Sequence, residues 1–383
     1  MIVSKYTIRE QNEAMILNAI IQQKEISRAD LSSLTGLTKA SVSAITKKLM
    51  DDSLIIEERV GNASTLGGRK PIMLTFNRHA GLVISMDIGY NYIEAMLAYI
   101  DGTLIKHFSK KQVLINKENV LENIQSIFKE FSKIKPDVPH DIVGMTIAIH
   151  GIVYENQITF TPYYDLDDYP LHEELQKIYP FPVTLYNEAN LAALGEYTFS
   201  SLSKNLISIS IHSGVGAGIV HDGLLEIGKH GQAGEIGHTI LFPQGKLCPC
   251  GNRGCLEQYT SNKVIYNEFA ALKKMESVNS NILTYYIQKR DPDALAIAKK
   301  NAELLSAGIN NLIMLYDPDV IVINSSLYRS VPEMIDWIQE QLTSSFSKDV
   351  IIRNTFLQNR AILYGGLAVS AQNFLNIQEL KLV

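Results

Sequence analysis

Cysteine is scarce. The 383 residues hold three, Cys248, Cys250 and Cys255, all within one short stretch. An odd number in so tight a cluster argues against a disulfide framework and suits a metal site. Long apolar runs are missing too: none approaches the roughly 18 residues that a membrane span needs. The opening MIVSKYTIREQNEAM lacks the apolar stretch of a secretory signal. A cytoplasmic location with no membrane partner is therefore expected. Glycine and proline number only 24 and 12, and 46% of residues are hydrophobic against 20% charged. That composition excludes collagen-like and disordered chains. A general excess of positive charge is also absent, since the net charge is −5 and the pI about 6.0. The chain as a whole is not a basic nucleic-acid binder.

The charge that is present is uneven. Residues 1–78 carry eleven Lys/Arg against eight Asp/Glu, and residues 79–383 carry 24 against 32. At about 150 residues per domain, the length allows two or three domains. A mildly basic head on an acidic body permits a DNA-binding head.

Within the head, residues 12–50 read as three short helices. Ala14, Leu17, Ile20 and Ile21 recur at helical spacing. Ser27 followed by Asp30 makes a capping box before Leu31 and Leu34, and Gly36 breaks that helix. Thr38 caps a third helix with Val42, Ile45 and Leu49 on its buried face. Two strand-like runs, Leu54–Val60 and Pro71–Phe76, flank the polar segment GNASTLGGRK. Together these are a helix-turn-helix with a hairpin wing. A recognition helix needs short side chains where it enters the major groove, and Lys39, Ala40, Ser41 and Ser43 fit. Lys47 and Lys48 are candidates for phosphate contacts, and Arg69 and Lys70 of the wing are placed to reach phosphate or the minor groove. The alternative is a helical bundle used only for dimerisation.

From residue 79 the pattern is α/β. LVISMDIG, YIEAMLAYI and the segment after Asp101 read as three strands joined by tight turns. Residues 117–134 read as helix, IVGMTIAIHG as a buried strand, and VTLYNEANLAALGEY as a strand entering a helix. LISISIHSGVGAGIV repeats the opening theme. Residues 292–316 and 364–376 read as helices around the strand DPDVIVIN. Two similar halves predict a bilobal body with a cleft between the lobes.

The segment GEIGHTILFPQGKLCPCGNRGCLEQ carries the strongest chemistry. His238, Cys248, Cys250 and Cys255 have the spacing H-x9-C-x-C-x4-C. One imidazole and three thiolates make a closed tetrahedral zinc site, structural because no position stays open for water. Gly251 and Gly254 let the chain fold around the ion.

That segment, with NEANLAALGE before it, closely resembles the ROK family of repressors and sugar kinases. The resemblance runs over essentially the whole chain. It implies an actin-like, ribonuclease-H-like ATPase fold for the body, and the winged head places the chain with the repressor branch, most like its xylose-repressor subgroup. The implied division is a head at 1–78 and a body at 79–383. Lobe one is 79–187 with the closing helix 364–383, and lobe two is 188–363. The resemblance also implies a sugar site. Asn187 matches a residue that binds a sugar hydroxyl, and Glu188 stands where family kinases keep a catalytic Asp. Glu235 and Glu257 match hydroxyl-accepting carboxylates, and His238 matches a residue that both ligates zinc and touches the sugar. Carboxylates and amides suit the O–H donors of a sugar. Pro162, Tyr163 and Tyr164 are candidates for the cleft mouth.

Family kinases carry DIGGTK in the first phosphate turn, where this chain has Asp87-Ile88-Gly89-Tyr90-Asn91-Tyr92. Tyr90 is expected to occupy the space that a phosphate needs. Glu188, one methylene longer than Asp, displaces the base by about 1 Å. The expectation is a non-enzymatic, sugar-responsive repressor, dimeric or a dimer of dimers, on a palindromic operator. Its effector is a neutral sugar such as xylose or glucose. The rival is an ATP-dependent sugar kinase with a regulatory head.

Overall fold

The structure is a computed structural model describing residues 8–60, 71–162 and 164–382. The head comprises α1 (Ile8–Gln23), β1 (Ile26–Ser27), α2 (Arg28–Thr35), α3 (Lys39–Asp51), β2 (Ile55–Val60) and β3 (Ile72–Phe76). Helix α1 starts earlier than the expected residue 12. Ser27 caps α2 by accepting the Asp30 N–H, and its own hydroxyl donates to the Asp30 carboxylate at 2.7 Å. Gly36 ends α2 with φ of 71°, a left-handed turn that glycine adopts without strain. Thr38 caps α3 through the Ser41 N–H. Val42, Ile45 and Leu49 then point inward, while Lys39, Ala40, Ser43 and Lys47 are exposed. Strand β3 pairs antiparallel with both β1 and β2, which completes a winged helix. The tip of the wing, with Arg69 and Lys70, lies outside the described residues.

The body repeats one plan twice. Its first half runs β4 (Leu82–Gly89), β5 (Tyr92–Tyr99), β6 (Leu104–Lys111), α4 (Val120–Ile134), β7 (Ile142–Ile149), β8 (Ile152–Tyr154), β9 (Gln157–Phe160), α5 (Leu171–Ile178), β10 (Val183–Asn187) and α6 (Glu188–Phe199). Its second half runs β11 (Leu206–Ile211), β12 (Val215–His221), β13 (Leu224–Glu226), α7 (Glu257–Thr260), α8 (Asn262–Lys273), α9 (Ser280–Gln288) and α10 (Pro292–Tyr316). Then follow β14 (Val320–Asn324), α11 (Ser326–Ser330), α12 (Glu333–Gln341), β15 (Ile351–Asn354) and α13 (Ala361–Leu375). The sheet orders are β10-β7-β4-β5-β6 and β13-β12-β11-β14-β15. In each, a three-stranded antiparallel meander is extended by two parallel strands. Every residue of β4 and of β11 is buried, which is why both read as largely apolar or small-residue runs rather than alternating ones, Asp87 of β4 being the charged exception.

Two helices join the halves. Helix α6 follows the last strand of the first sheet and packs on β11 and β12, while α13 follows the last strand of the second and packs on β4 and β7. They cross where both carry glycine. A Cβ added to Gly365 would stand 1.8 Å from the Leu191 carbonyl oxygen, so only glycine permits this approach. Helix α13 begins at Ala361, ahead of the expected 364. On its outer side, Leu363, Leu367 and Leu375 share one apolar cluster with Ile16, Leu17, Ile20 and Leu31 of the head. Head and body thus share a continuous core.

Candidate functional site

A cleft of about 640 Å³ opens between the two halves. Asn187, Glu188, Glu235, His238 and Glu257 all line it, as do Pro162 and Tyr164. Tyr163 lies outside the described residues. Topology accounts for the convergence: Asn187 ends β10, Glu188 opens α6, and the cleft lies beyond the carboxyl ends of the strands. Among the described residues no Lys or Arg lines the cleft.

Several of these groups are already committed. The Asn187 side chain caps α6, its oxygen accepting the Ala189 and Asn190 N–H groups at 2.9 and 3.1 Å. Its amide donates to the Gly151 carbonyl at 2.8 Å, which leaves one amide hydrogen for another partner. Glu257 Oε2 accepts the Val215 N–H at 3.1 Å. Glu235 Oε2 faces His238 Nε2 at 3.9 Å. Burial raises the Glu235 carboxyl against the opposing pull of His238. Burial also pushes Glu188 up to about 7, with Glu235 and Asp87 adding to the rise and His150 opposing it.

The first glycine turn is filled by a network that the sequence reading missed. The Tyr92 hydroxyl donates to Asp87 Oδ2 at 3.0 Å and lies 3.0 Å from His150 Nε2, which lies 2.9 Å from Asp87 Oδ1. His150 Nδ1 faces Glu188 Oε1 at 3.8 Å. Burial disfavours the charged imidazole of His150, but the charge and hydrogen bond of Asp87, with Glu188, outweigh it and raise its pKa. Tyr164 anchors the same corner, donating to the Ile88 carbonyl at 2.9 Å and accepting the His150 N–H at 2.9 Å. Tyr90 lines the cleft but is 38% exposed. The ring over the turn belongs to Tyr92: a Cβ at Gly89 would stand 2.2 Å from it. Both tyrosines line the cleft, and Tyr92 is the one packed on Gly89 because the β4–β5 hairpin pairs those two residues.

Along the same wall, His238, Cys248, Cys250 and Cys255 place one ligand atom each within 4.8 Å of one another, an arrangement that could hold a metal ion. His238 Nδ1 is 3.5 Å from Cys248 Sγ, and the sulfurs of Cys250 and Cys255 are 3.7 Å apart, far beyond a disulfide bond. Cys248 and Cys255 are buried and Cys250 is exposed. Gly254, at φ of 82°, brings the backbone so close to Phe242 that a side chain would collide with its carbonyl. The geometry sends Nδ1 of His238 to the cysteines and Nε2 toward Glu235.

On the head, Ser41 is half-buried and its hydroxyl lies 2.9 Å from that of Thr38. Lys48 does not project freely, since it pairs with Glu13 of α1. Beyond α3, His140 of the body reaches the carbonyl oxygen of Asp52, the C-cap of that helix.

A winged head on a duplicated α/β body with an interlobe cleft places the chain in a class of winged-helix regulators built on a kinase-like body. The chain belongs to the ROK family, whose model matches residues 83–372, and a winged helix-turn-helix DNA-binding model matches residues 9–56. The Staphylococcus xylosus xylose repressor is 33% identical, covering 98% of this chain and of that protein. The Bacillus subtilis xylose repressor is 30% identical, covering 88% of each. Among solved structures, a ROK family transcriptional regulator, homolog of E. coli MLC protein, superposes with a TM-score of 0.82 at 28% identity, covering 97% of this chain and 98% of that one. A ROK glucokinase from Streptomyces griseus with glucose and AMPPNP superposes at 0.67 and 26% identity, covering 76% and 100%. That kinase matches without residues enough to include a head. The body therefore has the actin-like fold of the sugar kinases. No helix among the described residues is long and apolar enough to cross a membrane.

Proposed function

We propose that the chain is a sugar-responsive transcriptional repressor. We divide it into a DNA-binding head at 1–78 and a sugar-binding body at 79–383. Two heads of a homodimer, or of a dimer of dimers, bind a palindromic operator whose half-site spacing follows the protein's symmetry. A neutral sugar such as xylose or glucose occupies the cleft against Glu188, Glu235, Glu257, His238 and the remaining amide hydrogen of Asn187. The cleft carries this reading: it gathers three carboxyl groups, three side-chain amides and three imidazoles in about 640 Å³ with no Lys or Arg among the described lining residues. Such a wall suits hydroxyl donors and repels phosphate.

Zinc is the ion we assign to the four-ligand cluster. Zn–S and Zn–N bonds of about 2.3 and 2.0–2.1 Å, tetrahedrally arranged, separate two sulfurs by about 3.8 Å and a sulfur from a nitrogen by about 3.6 Å. The observed 3.7 and 3.5 Å match. The ion would fix His238 by Nδ1 and leave Nε2–H as a rigid donor beside Glu235.

Kinase activity is the competing reading, and the glucokinase likeness favours it. Phosphoryl transfer rests on positioning and on donors cradling the phosphates. Here Tyr90 stands in place of the family's second glycine, the Tyr92 ring packs over Gly89 and its hydroxyl bonds Asp87, so we assign no enzymatic activity. Footprinting on the protein's own promoter region, with xylose and glucose titrated in, tests the repressor reading. Protection that a sugar weakens supports it. ADP formation at about 1–10³ s⁻¹ over a sugar panel would establish the kinase instead.

A further inference from the structure

Two atoms on the cleft wall are left without a hydrogen-bond partner among the described residues although they are shielded from solvent: Glu188 Oε2 and His212 Nε2. Glu188 already belongs to the proposed sugar site. His212 does not, and it stands on the turn between β11 and β12, immediately after β11.

We infer that His212 is a direct contact for the effector, and that a hydroxyl of a neutral sugar completes the bonding of its imidazole. The inference rests on the cleft being the effector site and names a further specificity-determining residue in it.

The backbone fixes where this ring sits. The His212 N–H donates to the Gly214 carbonyl at 2.9 Å, and its own carbonyl accepts the Asn262 N–H at 3.0 Å. Strand β11 is held against β12 and β14 up to the preceding residues. The main chain is thus pinned on both sides and the residue lines the cleft, but Nε2 itself is covered from solvent, so a hydroxyl reaches it only as the ring turns toward the cleft. Burial, reinforced by the charge of His150, pushes its pKa down to about 4. The ring is then neutral near pH 7 and offers one N–H and one lone pair. A hydroxyl both donates and accepts, so it matches this ring, whereas a phosphate would meet Glu188, Glu235 and Glu257 with no Lys or Arg among the described lining residues.

An unpartnered buried polar atom burdens the empty protein and rewards the complex that satisfies it. This predicts an opposition that a packing residue does not show. The test uses the full chain and its His212→Phe and His212→Gln variants, with melting temperature and calorimetric binding measured against xylose, glucose and glucose 6-phosphate. Wild type is expected to bind a neutral sugar and ignore the phosphate ester. His212→Phe should melt at the wild-type temperature or higher when empty, and bind the sugar about 10-fold or more weakly. His212→Gln, which restores a donor and an acceptor, should recover part of that loss. Operator affinity without sugar should be the same in all three. Wild-type affinity in both variants overturns the role of His212 while leaving the cleft as the sugar site. If no neutral sugar binds wild type, the reading of the cleft fails and this inference fails with it.

Discussion

His140 Nε2 lies 2.7 Å from the main-chain oxygen of Asp52, the residue that ends the exposed helix of the head. The same imidazole packs edge-on against Phe374, ring centroids 5.0 Å apart, near the end of α13. Helix α13 crosses α6 at Gly365, and α6 begins at the cleft with Asn187 and Glu188. A sugar that favours one arrangement of the lobes thereby has a packed route to α3. It shifts operator affinity only by its differential affinity for the two arrangements. A coupling of about 1–3 kcal/mol would change that affinity roughly 5–150-fold. His140→Ala should keep sugar binding and sugar-free operator binding, yet shrink the ratio of operator affinities with and without sugar. Titration of labelled operator in both conditions measures that ratio. An unchanged ratio would show that coupling runs elsewhere.

Lys47 and Lys39 should behave differently on DNA. Lys47 is exposed near the middle of α3, whereas Lys39 stands at its first turn. A phosphate contact contributes affinity without sequence preference, and each one lost lowers the salt slope by about one unit. Lys47→Ala should therefore weaken operator and unrelated DNA alike and flatten the salt dependence. Lys39→Ala should reduce the preference for operator. Equal salt slopes for wild type and Lys47→Ala would remove Lys47 from the interface. Lys48 is a poorer target, because its bond to Glu13 joins α3 to α1 and its loss mixes stability with binding.

Removal of one cluster ligand should cost both metal and response. Cys250 is exposed, so its replacement disturbs packing least, yet its sulfur stands 3.7 Å from that of Cys255. Cys250→Ser should abolish stoichiometric zinc by elemental analysis, lower the melting temperature and weaken sugar binding through the freed His238. Chelation of the wild-type protein should give the same three changes. Full zinc occupancy in the variant would refute this ligand set.

How far the sequence could be read follows from what each feature depends on. The caps Ser27 and Thr38, the left-handed Gly36 and the cysteine spacing are local, and the structure agrees with each. The repeated strand–turn–strand theme reads correctly because its opening strands, β4 and β11, are buried throughout and largely apolar or small. The Asp87–Tyr92–His150 network is a different matter. It joins residues from β4, β5 and the end of β7, brought together only by sheet pairing. A usable signal did exist: His150 and His212 each follow a buried strand at its carboxyl end, where ligands meet open α/β sheets. The packing of Tyr92 on Gly89 is not legible because it depends on hairpin register. The bond from His140 to Asp52 spans 88 positions, and no local pattern announces it.

Glu188 should leave a signature in the pH dependence of stability. Its carboxyl is raised from 4.5 to about 7 by burial, so the folded protein holds this proton more tightly than the unfolded chain does. The stabilisation is complete below about pH 4.5 and is lost as pH rises through about 7. Neighbouring groups also titrate. His150, raised above 6.5, changes stability in the same direction, while His212, lowered to about 4, opposes it between 4 and 6.5. A comparison of wild type with Glu188→Gln isolates the carboxyl, because the amide keeps the shape and cannot ionise. The two proteins should melt at similar temperatures near pH 5. By pH 8 the Gln variant should melt higher, since wild type must then carry a buried carboxylate whose Oε2 has no partner among the described residues. Saturating sugar should narrow the gap by supplying a hydroxyl to that carboxylate. Melting curves at half-unit pH steps, with and without sugar, measure both effects. A gap that stays constant from pH 5 to 8 would mean that Glu188 ionises as freely in the folded protein as in the unfolded chain.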